Sequence, residues 1–364
     1  MAQAISRKTR RRETGYREIV TEMRRRITAG AWPPASRIPT KLGLCAEFGV
    51  SDATVQRALN VLGQEEFLRS RGCAGTWVTD SPPHLSHIGV VFPDAVSRSK
   101  FWQAIVGEAR RLQEHGPLRF HVYERCCYPV GPDHARLHED LRVRRLAGIF
   151  MLASADRLLD RRLAENCGVV RIGVSATDPF RGAHRIVLPP ALSGVLDYLH
   201  AKGRRRLALI TTFSQFGPDP GQSGDLVRQA ATMGMEVPSR FIHPVSVPEH
   251  YTACHTLELM MSLPERHRPD AVYIMDDHLV EQATLGIRKA RVTPGSDARL
   301  EVVAHANFPA PPATHVPVTF HGHDIRALVA AGAGIVSDVL AGRKAPKELC
   351  LPPVFASELP YGLA

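Results

Sequence analysis

The chain contains 364 residues, 44% of them hydrophobic and 23% charged, and it carries a formal net charge of +10 at pH 7. This length and apolar content predict a multi-domain soluble protein with a small domain and a much larger one. Neither end holds an apolar segment long enough to span a membrane, and the Arg-rich start is not followed by the apolar core of a secretory signal. We therefore expect a cytoplasmic protein with no membrane partner.

Positive charge is concentrated at the start of the chain. Residues 1–80 hold 14 Lys and Arg against 8 Asp and Glu, so +6 of the total +10 lies in less than a quarter of the length. Such asymmetry favours a partner that carries phosphates. Residues 1–13 form a basic tail without apolar periodicity, which predicts a mobile segment in the free protein. This tail either keeps the protein soluble or contacts the minor groove or backbone of DNA.

Residues 14–79 have the pattern of a compact DNA-binding domain, and the first part of this pattern predicts two helices. Apolar residues at helical spacing predict a first helix over residues 16–29, with Gly30 as its stop. Two prolines then exclude a helix, and Thr40 is placed to cap a second helix that runs to Phe48.

A third helix follows after a tight turn. Gly49 supplies the turn and Ser51 can cap the helix, which then buries Val55, Leu59 and Leu62. The first turn of this helix presents short polar residues. This profile is typical of a recognition helix that enters the major groove of DNA.

A hairpin is predicted after the third helix. Two short strand candidates, 67–71 and 76–79, flank a Gly-containing tip at 72–75. The hairpin would form a wing that places Arg69 and Arg71 near phosphate.

In this order, the segments resemble the winged helix-turn-helix of the GntR family of bacterial transcription regulators. The resemblance covers about residues 14–79 and implies binding to a double-stranded DNA operator. The matching pieces are Tyr16, 27–30, 38–40, 49–51, 54–59 and 75–78.

Three positions depart from that family's pattern. The family usually carries Arg at the position of Leu42, and it favours Arg at the positions of Asp52 and Gln56. Asp52 could accept a hydrogen bond from cytosine or simply cap its helix, whereas Gln56 could pair with adenine. The predicted operator is therefore not the family's usual one. We assign DNA contacts to Thr40, Lys41, Ser51, Asp52, Ala53, Thr54, Gln56, Arg57, Arg69, Arg71 and Gly75.

The remainder of the chain predicts a larger α/β domain. Residues 80–85 predict a short extended linker because they contain two prolines. From residue 86 onward, buried strands alternate with amphipathic helices, which favours parallel sheets. The pattern restarts near residues 186–188, so two similar lobes with a cleft between them are expected. Strands are predicted at 87–93, 120–123, 147–152, 169–174, 207–212, 271–275 and 301–304.

This domain, residues 86–364, resembles the effector-binding domain of LacI-type regulators, which is similar to periplasmic sugar-binding proteins. The resemblance implies a homodimer that binds a small effector between its two lobes, with a sugar as one candidate. Joined to a GntR-type head, it resembles the hybrid regulators related to the arabinose repressor. The matching segments are 88–94, 203–210, 269–277 and 336–344.

Candidate ligand-binding residues follow from this resemblance and from the strand ends. Sugar-binding members usually carry an Arg near the position of Gln222 and an Asp near that of Ala306, and neither is present here. Asp277 fits the acidic cleft position. The aromatic candidates could stack on a sugar or belong to a core, and Asp276 and Asp277 could cap the following helix. The candidates are Asp94, Phe101, Trp102, Ser154, Gln222, Asp277 and Asn307.

Catalysis and metal binding find little support in the sequence. No nucleophile, zinc or dinucleotide motif stands in a supporting context, so we predict no enzyme, no cofactor and no metal site. The histidines of 321–323 lack a second pair of ligands. The seven cysteines include no C-x-x-C pair, and no structural disulfide is predicted, although Cys126 and Cys127 could form a redox sensor.

The sequence thus predicts a sequence-specific transcription regulator, a repressor by preference, whose DNA affinity responds to a small molecule. A homodimer would read a roughly palindromic site. One alternative is a small-molecule-binding protein with a non-specific or degenerate DNA-binding head, which the three departures suggest. Another alternative keeps DNA binding but has a degenerate cleft.

Overall fold

The computed structural model shows two compact units. The first comprises Met1–Ala95, Ala109–Arg185 and Gly332–Glu348, and the second comprises Val96–Glu108, Ile186–Ala331 and Leu349–Ala364. The structure describes residues 2–126, 131–152, 168–174, 182–190, 193–212, 221–294 and 300–362, with the side chains of 2–14, 193 and 221–223 left out.

The first unit begins with a three-helix head that carries a short hairpin. Its elements are α1 (Ala2–Thr28), α2 (Lys41–Phe48), α3 (Asp52–Gln64), β1 (Leu68–Ser70) and the antiparallel β2 (Thr76–Val78). The helices pack because each has one apolar stripe. Fully buried side chains from all three helices and the hairpin form one core, and each adds about 1.5–3 kcal/mol of burial. They include Met23, Leu44, Val55, Leu62 and Phe67.

The caps explain where α2 begins and ends. The Thr40 side chain accepts a hydrogen bond from the backbone N–H of Gly43, as the sequence predicts. Gly49 ends the helix with φ +65°, in the left-handed region that glycine adopts without a steric cost. The short turn that follows sets the angle between α2 and α3.

Three predictions for the head need correction. The first helix begins at Ala2 rather than Tyr16, so it includes the predicted basic tail. The side chains of residues 2–14 lie outside the described residues. Ser51 occupies the N-cap of α3 but makes no side-chain cap bond, because its hydroxyl pairs with that of Thr54 at 2.9 Å. Leu59 is only partly buried, and Ala58 takes the buried place on that face.

The linker is not extended as predicted. Pro83–Ser86 form a helical turn, α4, with proline in its first turn, where the missing N–H has no partner to lose. The Ser86 hydroxyl donates to the carbonyl oxygens of Ser81 and Pro82 at 2.9 and 3.1 Å. These bonds fold the linker back on itself.

Contacts at the end of α3 join the head to the linker and to the first lobe, the part of the α/β domain that lies in the first unit. Glu65, after the end of α3, lies 2.5 Å from Arg24 of α1 and 3.5 Å from Arg145 of the lobe. The next residues continue the contact, since Glu66 lies 3.5 Å from His87 and Phe67 stacks on His84. The end of α3 is therefore held from both sides.

The first six-stranded sheet has the strand order β13-β7-β6-β5-β3-β4. Strands β3 to β6 pair in parallel, as their unbroken apolar runs predict. The strands are β3 (His87–Val91), β4 (Arg119–Tyr123), β5 (Gly148–Met151), β6 (Val170–Val174), β7 (His184–Val187) and β13 (Glu348–Cys350), with helices α5 (Lys100–Glu114) and α6 (Pro132–Arg142).

The second six-stranded sheet, of the second unit, has the order β14-β12-β11-β10-β8-β9. Its pairs are parallel except for the β12–β14 pair at one edge. The strands are β8 (Leu207–Thr212), β9 (Ile242–Val245), β10 (Ala271–Ile274), β11 (Glu301–Phe308), β12 (Thr319–Asp324) and β14 (Val354–Phe355). The helices are α7 (Ser193–Ala201), α8 (Gly221–Thr232), α9 (Thr252–Met261), α10 (Val280–Lys289) and α11 (Ile325–Leu340).

Every strand predicted from a buried apolar run is present, and the fold class of a winged helix-turn-helix with a two-lobed α/β domain is confirmed. Strands that lack such an apolar run are not predicted from the sequence. β9 is an edge strand that contains Pro244, and β12 alternates histidines with Gly322. Among the described helices, none has the length and apolar character needed to cross a bilayer. Cys45, Cys73, Cys254 and Cys350 are free thiols.

Candidate functional site

The head presents a polar network at the start of α3. The Lys41 ammonium lies 2.9 Å from the Asp52 carboxylate and donates to Gln56 Oε1 at 3.2 Å. The Gln56 amide in turn donates to Asn60 at 2.9 Å. Asp52, with 60% of its side chain exposed, is therefore paired with a cation, which reduces its repulsion of a phosphate.

The first turn of α3 is open to a partner. Ser51, Asp52 and Ala53 are exposed and Thr54 is partly exposed, so short side chains form the tip of the helix. Short residues let the helix backbone approach base edges closely. The sequence-predicted cluster of Thr40, Lys41 and these residues is thus brought together on one surface.

The predicted cations of the head are each held by a neighbour. Arg57 places its guanidinium 4.1 Å from the ring centroid of Tyr16 in α1. Arg69 pairs with Asp80 at 2.7 Å. Arg71 lies over the Trp77 ring at 4.7 Å from the centroid and 3.9 Å from the same Asp80. Such contacts fix the orientation of long side chains.

Sequence reasoning missed Arg37, which lies between the wing and α3. Gly75 has φ +95°, and a Cβ on it would stand 2.9 Å from Arg37 Nε, so the guanidinium rests against this glycine. Arg37 is exposed and lines a groove of about 510 Å³ with Lys41, Gln56 and Asn60. A bridge between the backbones of Arg37 and Trp77 places it there, a contact that no local pattern reveals.

A second candidate site is a cavity of about 310 Å³ in the second unit. It lies beyond the carboxyl ends of β10 and β11, the edge at which open parallel sheets bind ligands. It is lined by Ser99, Phe101, Leu188, Pro189, Pro190, Tyr273, Met275, Asp276, Asp277, His278, His305, Asn307 and His323.

Asp277 and Asn307 form the buried polar centre of this cavity. They are 5% and 3% exposed, and Asn307 Nδ2 donates to Asp277 Oδ2 at 2.7 Å. Burial alone would raise the pKa of Asp277, but the hydrogen bond from the charged His278 and the hydrogen bond from Asn307 outweigh it and lower the pKa. The Asn307 carbonyl oxygen is buried without a hydrogen-bond partner among the described residues. A hydroxyl or N–H of a ligand could satisfy it.

His278 joins the two carboxylates of this site. Its Nδ1 lies 2.9 Å from Asp276 Oδ1 and 3.1 Å from Asp277 Oδ1. These hydrogen bonds to Asp276 and Asp277 raise the pKa of His278 to about 9, so the ring is charged at pH 7. Asp276 also accepts from the His278 backbone N–H at 2.9 Å, so it closes the turn before α10, whose N-cap is Leu279.

The other histidines of the cavity are neutral. Burial lowers the pKa of His305, and it lowers the pKa of His323 to about 3. Their rings meet edge to face at 5.7 Å between centroids. The cavity therefore combines one charged imidazole, two carboxylates and two neutral rings, a surface suited to hydroxyl and amine groups.

Asp276, Asp277 and His278 also offer one donor atom each within 4.8 Å of one another. A divalent cation could use such a set. In the structure, however, the His278 imidazolium already hydrogen-bonds both carboxylates. One positive charge therefore already offsets half of the negative charge of the two carboxylates.

Only some of the predicted ligand-binding residues line this cavity. Asp277, Asn307 and Phe101 line the cavity together, whereas Trp102 does not. Asp94 belongs to the first unit, where its carboxylate accepts from the backbone N–H of Ala95 at 2.8 Å. Ser154 lies outside the described residues, and so does the side chain of Gln222.

The sequence missed several residues of this cavity, notably Tyr273, His278, His305 and His323. Each lies in or just after one of the strands β10, β11 and β12. The position of polar residues near strand ends is the signal that could have found them.

Comparison with known proteins agrees with the geometry of the head. Residues 15–78 match the family described as bacterial regulatory proteins, gntR family. The head is a GntR-type helix-turn-helix domain.

Two relatives each match this chain over 65 residues. The mannosyl-D-glycerate transport/metabolism system repressor MngR of Escherichia coli is 38% identical over 65 residues, which are 18% of this chain and 27% of that protein. The histidine utilization repressor of Klebsiella aerogenes is 35% identical over 65 residues, again 18% and 27%. The chain thus spans about a quarter of the length of these relatives.

The fold of the remaining chain is that of LacI-family regulators. A LacI family transcriptional regulator from Lactobacillus casei with bound sucrose matches with a TM-score of 0.53 and 21% identity, over 77% of this chain and 100% of that one. A LacI family regulator from Bifidobacterium animalis matches with a TM-score of 0.55 and 12% identity, over 76% and 96%. The GntR-type head is thus joined to a LacI-type α/β fold.

Proposed function

We propose that this protein is a sequence-specific DNA-binding transcription regulator whose affinity for its operator changes when a small molecule binds in the cavity around Asp277. The observation that carries the proposal is the GntR-type head, whose α3 exposes a short-residue tip beside Lys41, Gln56 and Arg37. Relatives of this head are named repressors. Repression relieved by the ligand, from a homodimer on a roughly palindromic site in the cytoplasm, is the form we propose.

The ligand we propose is a small polyhydroxylated molecule such as a sugar. The cavity is small and polar, and it offers both acceptors and a charged donor, which suit hydroxyl groups. A LacI-type neighbour in the solved structures holds sucrose. The apolar face of such a ligand could lie against Phe101.

A second candidate function is a small-molecule-binding protein with a non-specific or degenerate head. It is favoured by Leu42, which is 79% exposed where the GntR pattern has an Arg, and by the departures at Asp52 and Gln56. A basic but non-specific head loses DNA as salt rises, whereas a specific one retains its site.

The deciding experiment is selection of random duplex DNA by the full-length protein at physiological salt. We expect an enriched motif with two-fold symmetry. A retained pool without any motif would contradict the regulator proposal and favour the second candidate.

The ligand is tested separately by thermal unfolding with a panel of sugars and polyols. We expect one member to raise the unfolding temperature of the wild type but not of Asp277→Asn. A variant with Gln103→Ala, on the exposed side of α5, serves as the control. An equal rise in the unfolding temperature of Asp277→Asn would show that the ligand does not bind in this cavity.

A further inference from the structure

An arginine-lined pocket lies at the edge of the second sheet opposite the ligand cavity. It is formed where β8 and β10 begin, and its volume is about 770 Å³. It is lined by Arg204, Arg205, Arg206, Gly234, Glu236, Pro264, Glu265, Arg266, Arg268, Pro269 and Asp270. Five guanidinium groups therefore surround one concave surface.

Arg206 organises the pocket wall. Its guanidinium donates to the carbonyl oxygens of Arg266 and Arg268 at 2.8 and 3.3 Å. These bonds fix the loop that precedes β10, and the loop carries the side chains of Arg266 and Arg268. Arg206 therefore has a structural role, and the side chains of Arg266 and Arg268 line the pocket.

The acidic residues of the pocket are largely occupied by other partners. Asp270 accepts from the backbone N–H groups of Arg205 and Arg206 at 2.8 to 3.1 Å. Glu236 lies 3.8 Å from Arg206 Nε. Five arginines against three carboxylates leave the pocket lining with a formal net charge of 5 − 3 = +2.

Three arginines of the pocket have no ion pair with a carboxylate among the described residues: Arg205, Arg266 and Arg268. Arg205 and Arg266 are exposed and Arg268 is partly buried. Arg266 Nε points to the ring of His267 at 3.0 Å. Guanidinium groups gathered in a concavity repel one another unless an anion lies between them.

We propose that this pocket binds the phosphate groups of a small molecule, at a site separate from the ligand cavity. Arginine presents two parallel N–H donors that match phosphate oxygens, and three such groups suit a ligand with more than one phosphate. The volume lies in the range of small-molecule sites, whereas a DNA duplex needs an extended basic strip rather than a pocket. This proposal does not depend on the regulator function.

The test is calorimetric titration of the full-length protein with inorganic pyrophosphate at physiological salt. We expect saturable binding in the wild type and binding weaker by about tenfold or more in the double variant Arg266→Gln/Arg268→Gln. Arg288→Gln, which removes one exposed charge from α10 in the same unit, should bind as the wild type does.

Unfolding of the unliganded variants by heat shows whether the substitutions damage the fold, and each single substitution provides a milder variant if the double one unfolds. Equal pyrophosphate affinity in the wild type and the double variant would overturn the proposal, as would no saturable binding at all. A shallower salt dependence of DNA binding in the double variant, without loss of pyrophosphate binding, would assign these arginines to DNA instead.

Discussion

In the head, the partners of Asp52 and Gln56 determine what these two side chains can do. Asp52 would oppose DNA if it stood alone, but Lys41 pairs with it and also holds Gln56. Gln56 is therefore held in a restricted orientation, which would lower the entropy lost if it paired with a base. The identity of residue 56 is visible in the sequence, whereas its orientation is not.

We predict that Gln56→Ala changes the base preference at one position of each half-site. A bidentate contact between Gln and adenine contributes about 1–3 kcal/mol of discrimination. The measurement is binding-site selection with the full-length variant. Thr21→Ala, an exposed change on α1, should leave the selected motif unchanged. An unaltered profile for Gln56→Ala would place α3 outside the groove.

His278 predicts a pH dependence of stability. Hydrogen bonds with Asp276 and Asp277 raise its pKa to about 9 in the folded chain. The unfolded chain releases this proton near pH 6.5, so the stabilisation is complete below that pH and is lost as pH rises through about 9. The loss could reach about 3 kcal/mol, because each tenfold difference in proton affinity between the folded and unfolded chains corresponds to about 1.4 kcal/mol.

Chemical denaturation of wild type and His278→Gln between pH 6 and 10 measures this effect. The difference in the free energy of unfolding between the two proteins should shrink as pH rises toward 10. A difference that stays constant across this range would show that the imidazolium does not stabilise the site.

At the scale of elements, helix caps distinguish α2 from α3. Thr40 caps α2 through a side-chain bond to the Gly43 N–H, whereas Ser51 occupies the N-cap of α3 without such a bond. Both residues have the same preference for helix starts, so the sequence could not tell them apart. The Ser51 hydroxyl instead pairs with the nearby Thr54 hydroxyl, which the sequence does not reveal.

We predict that Thr40→Ala lowers the local stability of α2 by about 1 kcal/mol, because the Gly43 N–H loses its acceptor. Hydrogen exchange of the α2 backbone amides measures the change. Ser51→Ala is the matched control and should have a much smaller effect on α3. Equal effects in the two variants would contradict the cap geometry.

At the scale of the whole molecule, a continuous set of polar contacts runs from the head into the first lobe. Glu65 is shared by Arg24 and Arg145, and Arg145 pairs with Asp140 at 2.8 Å. Asp140 accepts from the buried Tyr123 hydroxyl at 2.7 Å. Groups that touch at each step therefore link the end of α3 to the buried Tyr123 of the lobe.

We predict that Arg145→Gln loosens the head from the lobe without abolishing DNA binding. Hydrogen exchange in the α4 turn should rise, and the effect of the ligand on DNA affinity should fall. Arg142→Gln, which removes an exposed ion pair with Glu139 on α6, is the control. If Arg145→Gln leaves exchange and ligand response unchanged, these contacts do not couple the two parts.

The sequence by itself determined the parts that depend on local periodicity and on turn chemistry. Buried apolar runs specify β8 and β10, and Thr40 and Gly49 specify where α2 starts and stops, because these signals act over a few neighbouring residues. The tertiary structure alone decided the position of Arg37, the contact of Asp277 with Asn307 and the grouping of Arg205 with Arg266 and Arg268. Those contacts join residues distant in the chain, and they follow from which strands pair and which loops meet.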